Sequence, residues 1–127
     1  MTALFTRRAA NASGEPLTAV IDVRTVADPA DYPELQASGL TACRRDGHLV
    51  TAGSHQAVAA VSSVYLPARI PPAAGRLLAR TATPLGLALE PFGVWREELR
   101  ATTGCTRGRL WLPGPDRVVA VAWEMAL

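Results

Sequence analysis

Residues 106–127, TRGRLWLPGPDRVVAVAWEMAL, alternate, turn and alternate again. In the first arm Arg107, Arg109 and Trp111 share one side, and Gly108, Leu110 and Leu112 the other, which is the period-two signature of a strand. PGPDR, residues 113–117, supplies turn residues. VVAVAWEMAL then runs to the terminus with Glu124 as its one charged residue. The pattern predicts a C-terminal hairpin, and with it a sheet whose last strand carries a carboxylate.

Glu124 shares parity with Ala120, Ala122 and Ala126, while Val119, Val121, Trp123 and Met125 take the other face. A carboxylate in so apolar a strand either faces solvent or enters a polar pocket, where hydrogen bonds or an arginine must offset its burial. Arg107 and Arg109, on the facing arm, either grip a planar carboxylate bidentately or keep the surface soluble. Trp111 and Trp123 either line an aromatic pocket or pack across the hairpin.

Working back from the hairpin, PAAGRLLARTATPLGLALEPFG (residues 72–93) carries the helical signal. Pro72 suits a first turn, Leu77, Leu78 and Thr81 make an apolar face, and Pro84 interrupts it. A short helical piece resumes at 85–89. Residues 95–102 are polar enough to lie across a surface. Further upstream, AVAAVSSVYLPARIP (57–71) is β-prone, and Asp46-Gly47 in LTACRRDGHLVTAG reads as a hairpin turn between residues 41–45 and 48–52. Arg44 and Arg45 precede it on opposite faces. DPADYPELQASG (28–39) offers Asp28 as a cap, Pro29 as a first helical residue and Gly39 as a stop, which suits a short helix or a helical turn. LTAVIDVRTVAD (17–28) suits a strand or a helix. Residues 1–16 read as a flexible arm, leaving 17–127 as a single α+β domain: a central antiparallel sheet with one or two packed helices.

The chain has 127 residues and a formal charge of +2, enough for one domain with a real core. All thirteen basic residues are arginine, with no lysine. No RNP-like aromatic pattern, zinc-finger spacing or recognition-helix signature points to nucleic acid. No apolar run reaches the length of a membrane span. The N-terminus has the wrong order of charge and apolar residues for a secretory signal, so the cytoplasm is the default address. Cys43 and Cys105 have no ligand cluster around them, so no metal is expected. Ser62, Ser63, His55 and Asp46 supply the residue types of a hydrolytic triad without a nucleophile-elbow sequence.

GRLLARTATPLGLAL (75–89) followed by residues 106–127 resembles the chorismate-pyruvate lyase family and its wider fold superfamily, which includes ligand-sensing domains of bacterial transcription regulators. The resemblance spans roughly residues 64–127. It rests on Thr83-Pro84-Leu85-Gly86, then the Arg107/Arg109 strand, then Glu124, in that order. It implies an enclosed aromatic-acid pocket shaped by residues 83–86. It also implies cofactor-independent release of pyruvate from chorismate to leave 4-hydroxybenzoate, with Glu124 assisting protonation and an arginine holding the carboxylates. The family's carboxylate-binding arginine lies on an earlier central strand, where Arg44 and Arg45 are the candidates. Trp123 stands where a smaller polar residue commonly precedes the glutamate, which points to an altered pocket or another substrate, as in specialised metabolism. A noncatalytic sensor or carrier of a small carboxylated or aromatic metabolite is the alternative, and an accessory subunit a third. Small size and an edge strand leave room for a homodimer.

Overall fold

The β-branched run that opens the domain forms an edge strand, β1 (Leu17–Ala27), in a computed structural model that describes residues 16–114 and 117–127. Five further strands follow: β2 (Ala42–Thr51), β3 (Ala57–Tyr65), β4 (Trp95–Thr102), β5 (Cys105–Trp111) and β6 (Val118–Ala126). They make one six-stranded sheet in the order β1-β2-β3-β6-β5-β4, with every neighbouring pair antiparallel. The sheet is two three-stranded meanders joined where β3 meets β6. The arm expected over residues 1–16 lies outside the described residues except for Pro16, as do Pro115 and Asp116 of the last turn.

Two helices connect the meanders and cover one face, here the inner one. α1 (Pro72–Arg80) starts on a proline, whose missing N–H costs nothing in a first turn. α2 (Leu85–Leu89) starts directly after Pro84. Ala74 and Leu78 from α1 and Leu85, Ala88 and Leu89 from α2 pack on Tyr65, Leu110 and Ala120 of the sheet. Leu78 and Leu89 are fully buried, each worth about 1.5–3 kcal/mol of transfer free energy. The architecture is thus the α+β sheet with two helices that the sequence pattern predicts.

The outer face is covered by residues 29–35, which form two single 3-10 turns, Pro29–Asp31 and Pro33–Leu35, the helical turn rather than the short helix of the two readings the sequence allows. Asp28 caps the first as expected, accepting from the Ala30 amide at 2.9 Å. Leu35 then inserts against Val64, Leu66 and Val121.

Two sequence expectations are corrected. Asp46-Gly47 is not a turn: both residues lie inside β2, and the chain reverses at residues 52–56, where the Thr51 amide bonds to the Gln56 carbonyl. Asp46 is satisfied within the strand by Arg44 (2.8 Å) and Ser62 (2.7 Å), so it has no need of a turn. Residues 95–102 form β4 rather than a segment lying across the surface. Its charge pattern is that of an edge strand, whose exposed side chains discourage further pairing.

Candidate functional site

The antiparallel register fixes which side chains share the inner face. Arg24 stands opposite Arg45, Arg45 opposite Ser63, Ser63 opposite Ala122, and Ala122 opposite Gly108. One pair further along, Val61 faces Glu124 and Glu124 faces Thr106. Glu124 therefore points inward, on the small-residue face of β6, and is only 2% exposed.

Its partner comes from the far edge. Arg96, in β4, reaches across β5 and donates to Glu124 from Nη1 to Oε1 (2.8 Å) and from Nη2 to Oε2 (3.0 Å). Thr106 Oγ1 adds a donor to Oε2 at 2.6 Å, and Arg96 Nε donates to Glu98 at 3.0 Å. The side chains of Arg96 and Glu124 are 2% and 1% exposed. The crossing depends on Gly108: a Cβ there would sit 2.1 Å from Arg96 Nε and 2.8 Å from its Cγ. Gly108→Ala is expected to push Arg96 off its path and cost about 1–3 kcal/mol in a urea unfolding midpoint, the usual range for overpacking.

Arg45 is built differently. It is 3% exposed, and its Nη2 donates to the backbone carbonyls of Thr81 (3.1 Å) and Thr83 (2.9 Å) in the break between α1 and α2. Arg24 Nη2 donates to the same Thr81 carbonyl at 2.7 Å. Arg45 Nε is buried without a hydrogen-bond partner, and no carboxylate pairs with this guanidinium among the described residues. Burial first, and Arg24 second, push its pKa down to about 10, which leaves it a cation at neutral pH. Two like charges set directly opposite on neighbouring strands are unfavourable in themselves.

Cavities flank Arg45 on both sides. Towards Glu124, with Ser63, Pro84 and Leu85 on its walls, the space is about 20 Å³, room for one water. Towards β1 and α1, a cleft of about 240 Å³ is lined by Arg24, Cys43, Arg45, Tyr65 and Ala79. Burial raises the Tyr65 phenol pKa, so that hydroxyl remains a neutral donor.

No family model matches the chain, and no curated protein matches it. Among solved structures, one described as the ligand-binding domain of a GntR-family transcriptional regulator from Bordetella bronchiseptica aligns with a TM-score of 0.58 and 15% identity. The alignment covers 87% of this chain and 82% of that one. The likeness is one of fold. Two short helices over one face of a six-stranded antiparallel sheet are the architecture that this neighbour fits.

The residues singled out in the sequence divide between the two faces. Glu124, Arg45 and the break at Thr83-Pro84-Leu85-Gly86 meet on the inner face. Arg44, Arg107, Arg109, Trp111 and Trp123 lie on the outer one, because each has the opposite strand parity. There Trp123 stacks on Tyr32 (ring centroids 6.2 Å apart) with the Arg44 and Arg107 guanidinium groups over its ring at 5.1 and 5.3 Å. Arg44 also bonds Tyr32 Oη (2.6 Å) and Asp46, whose pKa it lowers. Arg107 pairs with Glu34. Arg109 and Trp111 Nε1 both donate to Glu97, at 2.7 and 3.2 Å.

Sequence reasoning missed Arg96 and Arg24. A cation for a buried Glu124 was foreseeable, and a glycine inside the strand next to it marks a close approach. Locating Arg96 required reading residues 95–102 as a strand.

Proposed function

We propose that the domain binds a small organic anion in the inner cleft, with Arg45 and Arg24 as its carboxylate anchor. The observation that carries this reading is Arg45: a buried guanidinium without an acidic partner, set opposite a second arginine and beside a cleft with room for a ligand group. Such a charge is costly when left unpaired, and an anion entering the cleft supplies the missing partner. Tyr65 Oη and the Cys43 thiol complete a wall that can accompany a carboxylate with neutral contacts. The name of the Bordetella neighbour, a ligand-binding domain, agrees with a binding role.

Glu124 bears on the alternative, a lyase that converts chorismate to 4-hydroxybenzoate and pyruvate. What favours that reading is that Glu124, Arg45 and Pro84 border one space. Both Glu124 oxygens, however, already accept hydrogen bonds, and the inner space beside it, about 20 Å³, is too small for a substrate ring, so the geometry favours binding over turnover.

One titration series distinguishes these readings. Benzoate, 4-hydroxybenzoate and chorismate are titrated by calorimetry, with pyruvate followed in the chorismate sample. Saturable one-to-one binding, weakened at least about tenfold by Arg45→Gln and by Arg24→Gln in folded protein, is expected, since a charge-assisted pair is worth about 1.5–3 kcal/mol. Equal affinity in the variants, or no binding by any of the three, overturns the proposal. Stoichiometric pyruvate release would establish the lyase.

A further inference from the structure

The outer face carries a second pair of arginines opposed across neighbouring strands. Arg100 in β4 and Arg107 in β5 are direct partners in the register, immediately after the bulge between Glu98 and Arg100. Opposed like charges weaken a strand pair, and the bulge re-aims Arg100 to stand beside Arg107 instead of away from it. Arg107 pairs with Glu34 through Nη2, but its Nε is buried without a partner. Arg100 is exposed and has no ion pair among the described residues.

These two arginines border a cleft of about 380 Å³, within the size range of small-molecule sites. Its remaining walls include Ala60, Ser62, Trp123 and the half-exposed Met125, so an apolar floor adjoins the cationic edge. Trp123 is held in place by Tyr32, Arg44 and Arg107, which gives that floor a fixed shape before anything binds. Glu124 also borders the cleft, but its carboxylate is engaged by Arg96 and Thr106.

We infer that this outer cleft is a binding site, separate from the inner one, for a small organic anion whose oxyanion lies between Arg100 and Arg107 and whose apolar body lies over Ala60, Trp123 and Met125. Guanidinium pairs recognise planar oxyanions through paired N–H donors, and an anion between them turns the opposed charges from a cost into a clamp. Neither Arg45 nor the helices take part, so this site does not depend on the function proposed for the inner face.

The test uses the intact chain and 1-anilinonaphthalene-8-sulfonate, an aromatic sulfonate that fluoresces when its rings leave water. The wild type is expected to bind one equivalent, with affinity that falls as salt is added. The amide signals of Ser62 and Arg107 and the Met125 methyl signal should shift in NMR spectra. Arg100→Gln, at an exposed position that leaves packing intact, should weaken binding at least fivefold, and Arg45→Gln should leave it within twofold. Three outcomes overturn the inference: no saturable binding, unchanged affinity in Arg100→Gln, or shifts confined to inner-face residues such as Tyr65.

Discussion

Replacing Glu124 with Gln is expected to lower stability by about 3–5 kcal/mol, because the amide removes the buried counter-charge of Arg96, whose side chain is 2% exposed, and leaves it only Glu98, itself 42% exposed. Against a total of about 5–15 kcal/mol for an ordinary domain, that loss shifts the urea midpoint severely or unfolds a large fraction of the protein. Arg96→Met should cost a similar amount for the mirror reason. The double replacement Arg96→Met/Glu124→Leu removes both charges and is expected to recover to within about 1 kcal/mol of wild type, as buried pairs replaced by apolar residues often do. The resulting double-mutant cycle would show strong coupling. A Glu124 that served catalysis alone would give a different result: Glu124→Gln with an unchanged midpoint. Because the singles damage the fold, a loss of any activity in Glu124→Gln carries meaning only beside the double variant.

Gly47→Ala is the second large effect. Its Cβ would lie 1.9 Å from the Val20 carbonyl oxygen and 2.9 Å from the carbon of the same group, and neither can swing away as a side chain would. The clash falls where the β1–β2 register shifts between Ile21 and Val23. Relief requires β1 to move off β2, so a loss of at least about 3 kcal/mol is expected. Amide exchange should quicken through residues 17–27 before the rest of the sheet. Gly75→Ala supplies the control, since its Cβ, within α1, would meet only the Ile70 side chain, at 3.8 Å and beyond. There alanine should be neutral or stabilise by up to about 1 kcal/mol through helix propensity. Equal midpoints for the two alanine variants would show that the bulge does not need its glycine.

These positions also show why the sequence was legible in some places and opaque in others. Cys105–Trp111 and Val118–Ala126 alternate cleanly because β5 and β6 each separate two unlike environments, and that alternation assigns Glu124 its parity from the sequence alone. Pro84 was readable because a missing N–H disturbs a helix locally. Asp46-Gly47 misled because its turn chemistry is also local, whereas its actual job is set by a carbonyl on another strand 27 positions upstream, at Val20. Arg96 and Arg24 escaped for the same reason. Each owes its role to an edge strand whose exposed residues carry little hydrophobic pattern, and to partners that only the register brings near. Arg45 was visible as a candidate, but its lack of an acidic partner is a property of the folded space around it.

The inner face thus places two kinds of charge side by side. Arg96, Gly108 and Glu124 form a self-neutralised unit in which each residue is needed for the others to fit. In a diverging lineage such a unit answers to foldedness, and its two charges can change only in concert, since loss of either one alone passes through a poorly folded intermediate. Arg24 and Arg45 answer to something else. No carboxylate among the described residues pairs with Arg45. Under the binding role proposed for the inner cleft, a lineage that stopped binding the anion would keep a cation there only for its bonds to the Thr81 and Thr83 carbonyls, and genetic drift towards a neutral donor would be the mark of that loss.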